Sequence, residues 1–181
     1  MVDAQQAVKY VTCPVTIGID PGLSGAIAFI PHDATLAVPW VEDMPVVAHS
    51  PRGFVKRAVD VVVLAKMLER YGMTGNATVF LERVNAFPGQ GVGSMFSLGM
   101  SFWGVAGVVA ACGMPLHLVE AKDWKAHYKL KADKEMARAL ASRYYPDCTL
   151  TAKKHHGRAE ALLIARYGKE TQMSNGDKDS Q

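Results

Sequence analysis

The sequence predicts an α/β fold, a central mixed β-sheet flanked by α-helices, on three features. Short apolar runs rich in Val and Ile occupy residues 14–20 and 25–30 and recur at 77–83 and 115–121. Longer segments with helical apolar spacing lie between and after them, at 60–72, 131–146 and 157–168. Hairpin-like strands followed by strand–helix–strand units give a layered sheet with parallel and antiparallel neighbours. The 181 residues show no internal repeat and no dividing linker. They read as one domain over 14–169, with an N-terminal extension at 1–13 and a polar, disordered tail at 170–181.

Each element has its own signal. The first strand, "PVTIGID", runs into Asp20-Pro-Gly, and "GAIAFI" follows as its partner across the turn. The β-branched residues of 34–47, broken by prolines, predict a third strand with an irregular exit. Asp60 and Gly72 bracket a helix with a start and a stop signal. "ATVFLER" is a short strand ending near Glu82, and "NAFPGQGVG" is a glycine-rich loop. Residues 94–113 are apolar nearly all round, long enough that a membrane span must be weighed. Their small residues and serines predict instead a helix buried in protein on most sides, including a subunit contact. "PLHLVEA" gives the next strand, and two amphipathic helices follow, stopped by Pro146 and by Gly168.

At 49% hydrophobic and 20% charged residues the composition is that of a soluble globular domain. Cys13, Cys112 and Cys148 are far apart, which argues against a zinc site or a disulfide framework and for a reducing compartment. The first ten residues lack the apolar core of a secretory signal. Net charge is only +3, but between Lys122 and Lys169 twelve Lys/Arg face five Asp/Glu. That excess predicts a polyanionic partner for the C-terminal third, with a solvated helix face as the competing explanation.

Three acids stand where chemistry can use them: Asp20 and Glu82 at strand ends, and Glu160 early in the last helix. His156 lies four residues before Glu160, which puts both on one helix face. Three acids and an imidazole converging on one spot repel each other unless a cation sits between them. Hard oxygen donors suit Mg²⁺, with Mn²⁺ able to substitute. Two such ions activate water and stabilise a leaving oxygen in phosphodiester hydrolysis. Each residue alone has a plainer explanation: a turn Asp, a solvated strand-end Glu, a His at a helix start.

"IGIDPGLSGAIAFI", "VFLERV" and "HHGRAEALLIARYG", in this order and at these separations, resemble the RuvC family of Holliday-junction resolvases. They are most similar to its monokaryotic-chloroplast-type branch and to related bacterial and phage proteins. "WKAHYKLKADKEMARALASRYYP" reads like that family's basic segment and following helix. The resemblance implies a ribonuclease-H-like fold, a homodimer, no membrane, and metal-dependent cleavage of four-way DNA junctions by paired, symmetric nicks. It implies that Asp20, Glu82 and Glu160 are metal-binding acids, with His156 either a metal ligand or the group that orients water. It also implies a chloroplast nucleoid in a plant or alga, the transit peptide being absent from these residues, or otherwise a bacterial or phage-infected cytoplasm.

Substrate contacts follow from position and charge. Phe87, on the loop after Glu82, is expected to stack on or wedge between bases at the junction centre, with packing under the loop as its alternative, and Gln90 to meet a base edge. Lys122, Lys125, Lys131, Lys134, Lys153, Lys154 and Arg158 are expected on phosphates. Either Lys131 or Lys134 fits the active-site lysine that the family carries here. Met95, Phe96, Met100, Phe102 and Trp103 are the expected dimer contacts, with the monomer core as their alternative, and Trp124 is expected to be a core anchor. A strand–"DPG"–strand unit also occurs in sugar kinases and actin-like ATPases, which need two related domains. A ribonuclease acting on RNA–DNA hybrids and a junction binder that does not cleave are the nearer alternatives.

Overall fold

Alternation along the first strand sets the layers. In β1 (Val15–Asp20), Val15, Ile17 and Ile19 point to one face of the sheet and Thr16, Gly18 and Asp20 to the other. The structure is a computed structural model that describes residues 13–48, 56–85, 88–131 and 134–176, with backbone alone for 134 and 173–176. β1 is central in a five-stranded sheet of order β3-β2-β1-β6-β7. On one side it pairs antiparallel with β2 (Ala26–Pro31), which pairs antiparallel with β3 (Trp40–Asp43). On the other it pairs parallel with β6 (Ala77–Arg83), and β6 pairs parallel with β7 (Leu116–Glu120). The mixed α/β architecture is the one expected.

The first face is covered by α1 (Val61–Thr74) and α2 (Val92–Ala111) over a core of Ile17, Ile27, Phe29, Leu64, Leu81 and Val105. The second is covered by α3 (Ala121–His127), α4 (Lys134–Tyr144) and α5 (His156–Gly176) over Ala28, Phe80, Trp124, Ala141 and Leu162. Asp60 caps α1, accepting hydrogen bonds from the backbone N–H groups of Val62 and Val63.

Several boundaries differ from expectation, for identifiable reasons. Residues 34–47 hold β3 and the start of β4 (Val46–Ala48), which pairs with β5 (Arg57–Val59) as a separate two-stranded sheet. Strands of three residues are too short to show a period. α1 passes the expected stop at Gly72 and ends at a left-handed Gly75. Gly72 serves packing instead, since a Cβ there would stand 2.0 Å from the Cys112 carbonyl oxygen. Gly168 is no stop either: a Cβ would lie 2.3 Å from the Phe80 ring, and α5 runs on to Gly176. The stretch 170–176 is therefore helical, contrary to the expected disorder. Cys13, assigned to the N-terminal extension, is buried in the core. Residues 1–12 and 177–181 lie outside the described residues.

α2 also starts earlier than expected, inside the glycine-rich loop. It is long and apolar enough to cross a membrane by length and composition. Burial on most sides is not what the structure shows. Ser101, Phe102, Val105, Ala106 and Val109 pack inward, whereas Val92, Phe96 and Trp103 are exposed.

Candidate functional site

The two-residue period of the sheet decides which acids can meet. β1 and β6 are in register with Gly18 beside Phe80 and Ile19 beside Leu81. One step further, Asp20 comes alongside Glu82, both on the face that α5 covers. Gly18 lets that helix come close, because a Cβ there would stand 2.3 Å from the Ala161 carbonyl oxygen and from the Ala165 nitrogen. Gly157 does the same at the start of α5, where a Cβ would lie 2.3 Å from the Ser24 carbonyl oxygen. Glu160, between these contacts, is carried to the strand ends. Asp20 also fulfils its plainer role, accepting the Gly22 N–H at 3.1 Å across the turn.

Electrostatics show that the three acids feel one another. Burial first, then the neighbouring Asp20 and Glu160, push the Glu82 carboxyl from its ordinary 4.5 up to about 7. Lys125 and the Trp124 indole N–H act in the opposite direction. That indole nitrogen nonetheless falls short of hydrogen-bond geometry: Trp124 Nε1 and Glu82 Oε2 are both buried without a hydrogen-bond partner among the described residues. Lys125 Nζ stands 3.6 Å from Glu160 Oε1 and 4.9 Å from the centre of the Trp124 ring.

This arrangement fits a divalent cation. The donors are hard carboxylate oxygens, one of them is orphaned in a buried position, and Lys125 already holds a cation against Glu160. Among the described residues no group of three His, Cys, Asp or Glu is drawn together as a finished cage. His156 begins α5 one turn before Glu160. Its Nδ1 lies 3.2 Å from the Lys153 carbonyl oxygen, which can only accept, so the neutral ring protonates Nδ1 and leaves the Nε2 lone pair open.

The other predicted residues divide. Phe87 lies outside the described residues. Gln90 lines a cavity of about 350 Å³ with Arg83, Asn85, Leu98 and Trp103. Lys122 and Lys131 are exposed, and so are Lys153 and Lys154 on a 3₁₀ turn leading into α5. Lys134 opens α4, with its side chain outside the description. Arg158 is not an open phosphate contact. Its Nε and Nη2 hold Asp43 at 2.5 and 2.7 Å, and its Nη1 lies 3.4 Å from the Thr149 carbonyl oxygen, so it fastens α5 to β3. Of the expected dimer contacts, Phe96 and Trp103 are exposed, and Met95 and Met100 are half-buried. Phe102 is corrected to a core residue, 6% exposed beneath α2. Trp124 is fully buried, the core anchor expected. The contact of Lys125 with the acids was missed, although a lysine directly after a buried Trp at a strand exit hints at it.

No protein-family model and no curated protein matches the chain. Among solved structures it is similar to Thermus thermophilus RuvC, with a TM-score of 0.54 and 18% identity, covering 83% of this chain and 90% of that one. It is similar likewise to T. thermophilus RuvC in complex with a Holliday junction substrate, with a TM-score of 0.53 and 19% identity over 84% and 90% of the two chains. The shared fold is ribonuclease-H-like.

Proposed function

We propose that this chain is a divalent-metal-dependent, structure-selective DNA endonuclease that resolves four-way junctions by paired symmetric nicks. We further place it on the monokaryotic-chloroplast-type branch of the RuvC family, on the His four residues before the helix acid. The carrying observation is the register that sets Asp20 beside Glu82, whose carboxyl has one oxygen sealed from water and a proton affinity raised first by burial and then by Asp20 and Glu160. Its support is the likeness to a solved resolvase with a junction bound.

Asp20, Glu82 and Glu160 would hold Mg²⁺ or Mn²⁺, with His156 beside them. When bound, two such ions supply charge stabilisation at the phosphate and a water of lowered pKa. Glu82 would have to release its proton to solvent to serve as a ligand. His156 Nε2 orients the attacking water or accepts its proton, and Lys125, released from Glu160, faces the non-bridging phosphate oxygens. Lys122, Lys131, Lys134, Lys153 and Lys154 bind the flanking backbone. A homodimer presents two such sites across one junction by symmetry.

The test is an end-labelled four-way junction incubated with Mg²⁺ or Mn²⁺, beside Asp20→Asn, matched duplex and an RNA–DNA hybrid. Paired nicks in opposing arms, absent with Asp20→Asn and with duplex, are expected. Binding without nicks in either metal would make the chain a junction binder. Preferential cutting of the hybrid would replace the resolvase reading with a hybrid nuclease.

A further inference from the structure

α2 is apolar nearly all round, yet it carries Ser94, Ser97 and Ser101. Spacings of three and four put these hydroxyls on one stripe of the helix. Ser94 is exposed and Ser97 half-buried, whereas Ser101 is buried. The three serines line a groove of about 800 Å³ together with Lys56, Arg57, Leu23 and Ser24. Leu23 and Ser24 belong to the turn that follows Asp20, so the groove reaches the loop at the end of β1. Both cations are exposed, and neither has an acidic partner among the described residues. Arg57 belongs to β5 and Lys56 directly precedes it, on the small β4–β5 sheet that stands apart from the main one.

We infer that Lys56 and Arg57 bind the phosphate backbone of the substrate strand as it passes along this groove toward the turn after Asp20, with the hydroxyls of Ser94 and Ser97 as hydrogen-bonding partners. The charge asymmetry in the sequence marks only the C-terminal third as basic. The fold adds a second basic wall from a distant segment. Two exposed cations that share a groove with serine hydroxyls match a polyanion with regularly spaced oxygens. A base edge or an apolar ligand would leave both charges unused. The inference rests on the reading of the chain as a junction nuclease, and it adds a contact surface outside the basic C-terminal third.

The experiment measures binding of the full chain to labelled four-way junction, duplex and single strand over a range of salt. It compares the wild type with Lys56→Ala/Arg57→Ala and the charge-keeping Lys56→Arg/Arg57→Lys, in Ca²⁺ to hold back cutting. Circular dichroism and melting confirm that the exposed changes leave the fold intact. The log–log salt slope of the alanine pair is expected to be shallower by about 1.8, at ~0.9 for each lost phosphate contact. The charge-keeping pair is expected to match the wild type. An unchanged slope in the alanine pair, with junction preference intact, overturns the groove and leaves the resolvase reading standing. A shallower slope on every DNA, with no preference for the junction in the wild type, keeps the groove and removes that reading. No DNA binding by the wild type overturns both.

Discussion

Glu82 is a carboxylate with one oxygen sealed from water and two acids beside it. In the metal-free protein its folded pKa, about 7, lies above its ordinary 4.5. The ionised form is therefore disfavoured in the fold, and the associated stability is present below about pH 4.5 and lost as pH rises through about 7. At ~1.4 kcal/mol for each tenfold change in proton affinity, the loss is roughly 3 kcal/mol. Glu82→Gln is expected to raise the melting temperature of the metal-free protein at pH 8, to leave it little changed at pH 4, and to abolish cleavage. Melting both proteins in EDTA at the two pH values checks this, and an equal gain at both would refute it. Arg158 gives a contrasting residue-scale prediction. Arg158→Ala removes the fork on Asp43 and should lower stability by about 1 kcal/mol while leaving the salt slope of DNA binding unchanged. Urea unfolding and the same salt titration separate those effects.

At the scale of elements, the site depends on how near α5 sits to β1. Gly18→Ala forces a Cβ against the backbone at Ala161 and Ala165. It should cost about 1–3 kcal/mol or more and lower cleavage by moving Glu160 away from Asp20. Chemical unfolding and single-turnover rates would show both losses, and a variant as stable and active as the wild type would argue against the seating of α5. Asp20 and Glu82 were legible because a charged residue at the end of an apolar strand breaks the local pattern, and strand alternation fixes its face. Glycine misled. Gly72 and Gly168 read as helix stops, yet each marks where another segment presses on a helix that continues. Such a glycine and a capping glycine look alike until the neighbour is known. The β4–β5 sheet and α3 were invisible because three- and seven-residue elements carry too little period. Arg158 was assigned to phosphate because its partner Asp43 lies far away in sequence.

For the whole molecule, the exposed side of α2 presents Phe96 at 61% and Trp103 at 71% exposure, apolar area that a second copy of the chain can cover. Phe96→Ser/Trp103→Ser is expected to shift the protein from dimer to monomer in sedimentation and to convert paired nicks into single, unpaired ones. A monomeric wild type would refute the dimer, and a double variant that stays dimeric would move the interface elsewhere. The sheet also has a history in time. β1 reaches β2 through a short turn but reaches β6 only after α1 has been laid across, and Glu160 arrives from later still. Near contacts close quickly and distant ones wait on loop closure. This separation in sequence predicts that the three acids come together, and repel one another, late in folding, after Asp20 is in place and the barrier has been crossed. Relief of that repulsion should slow unfolding and hardly change refolding. The three acids are thus expected to shorten the lifetime of the metal-free native state and not the time needed to reach it, which unfolding and refolding rates of Glu82→Gln in EDTA would check.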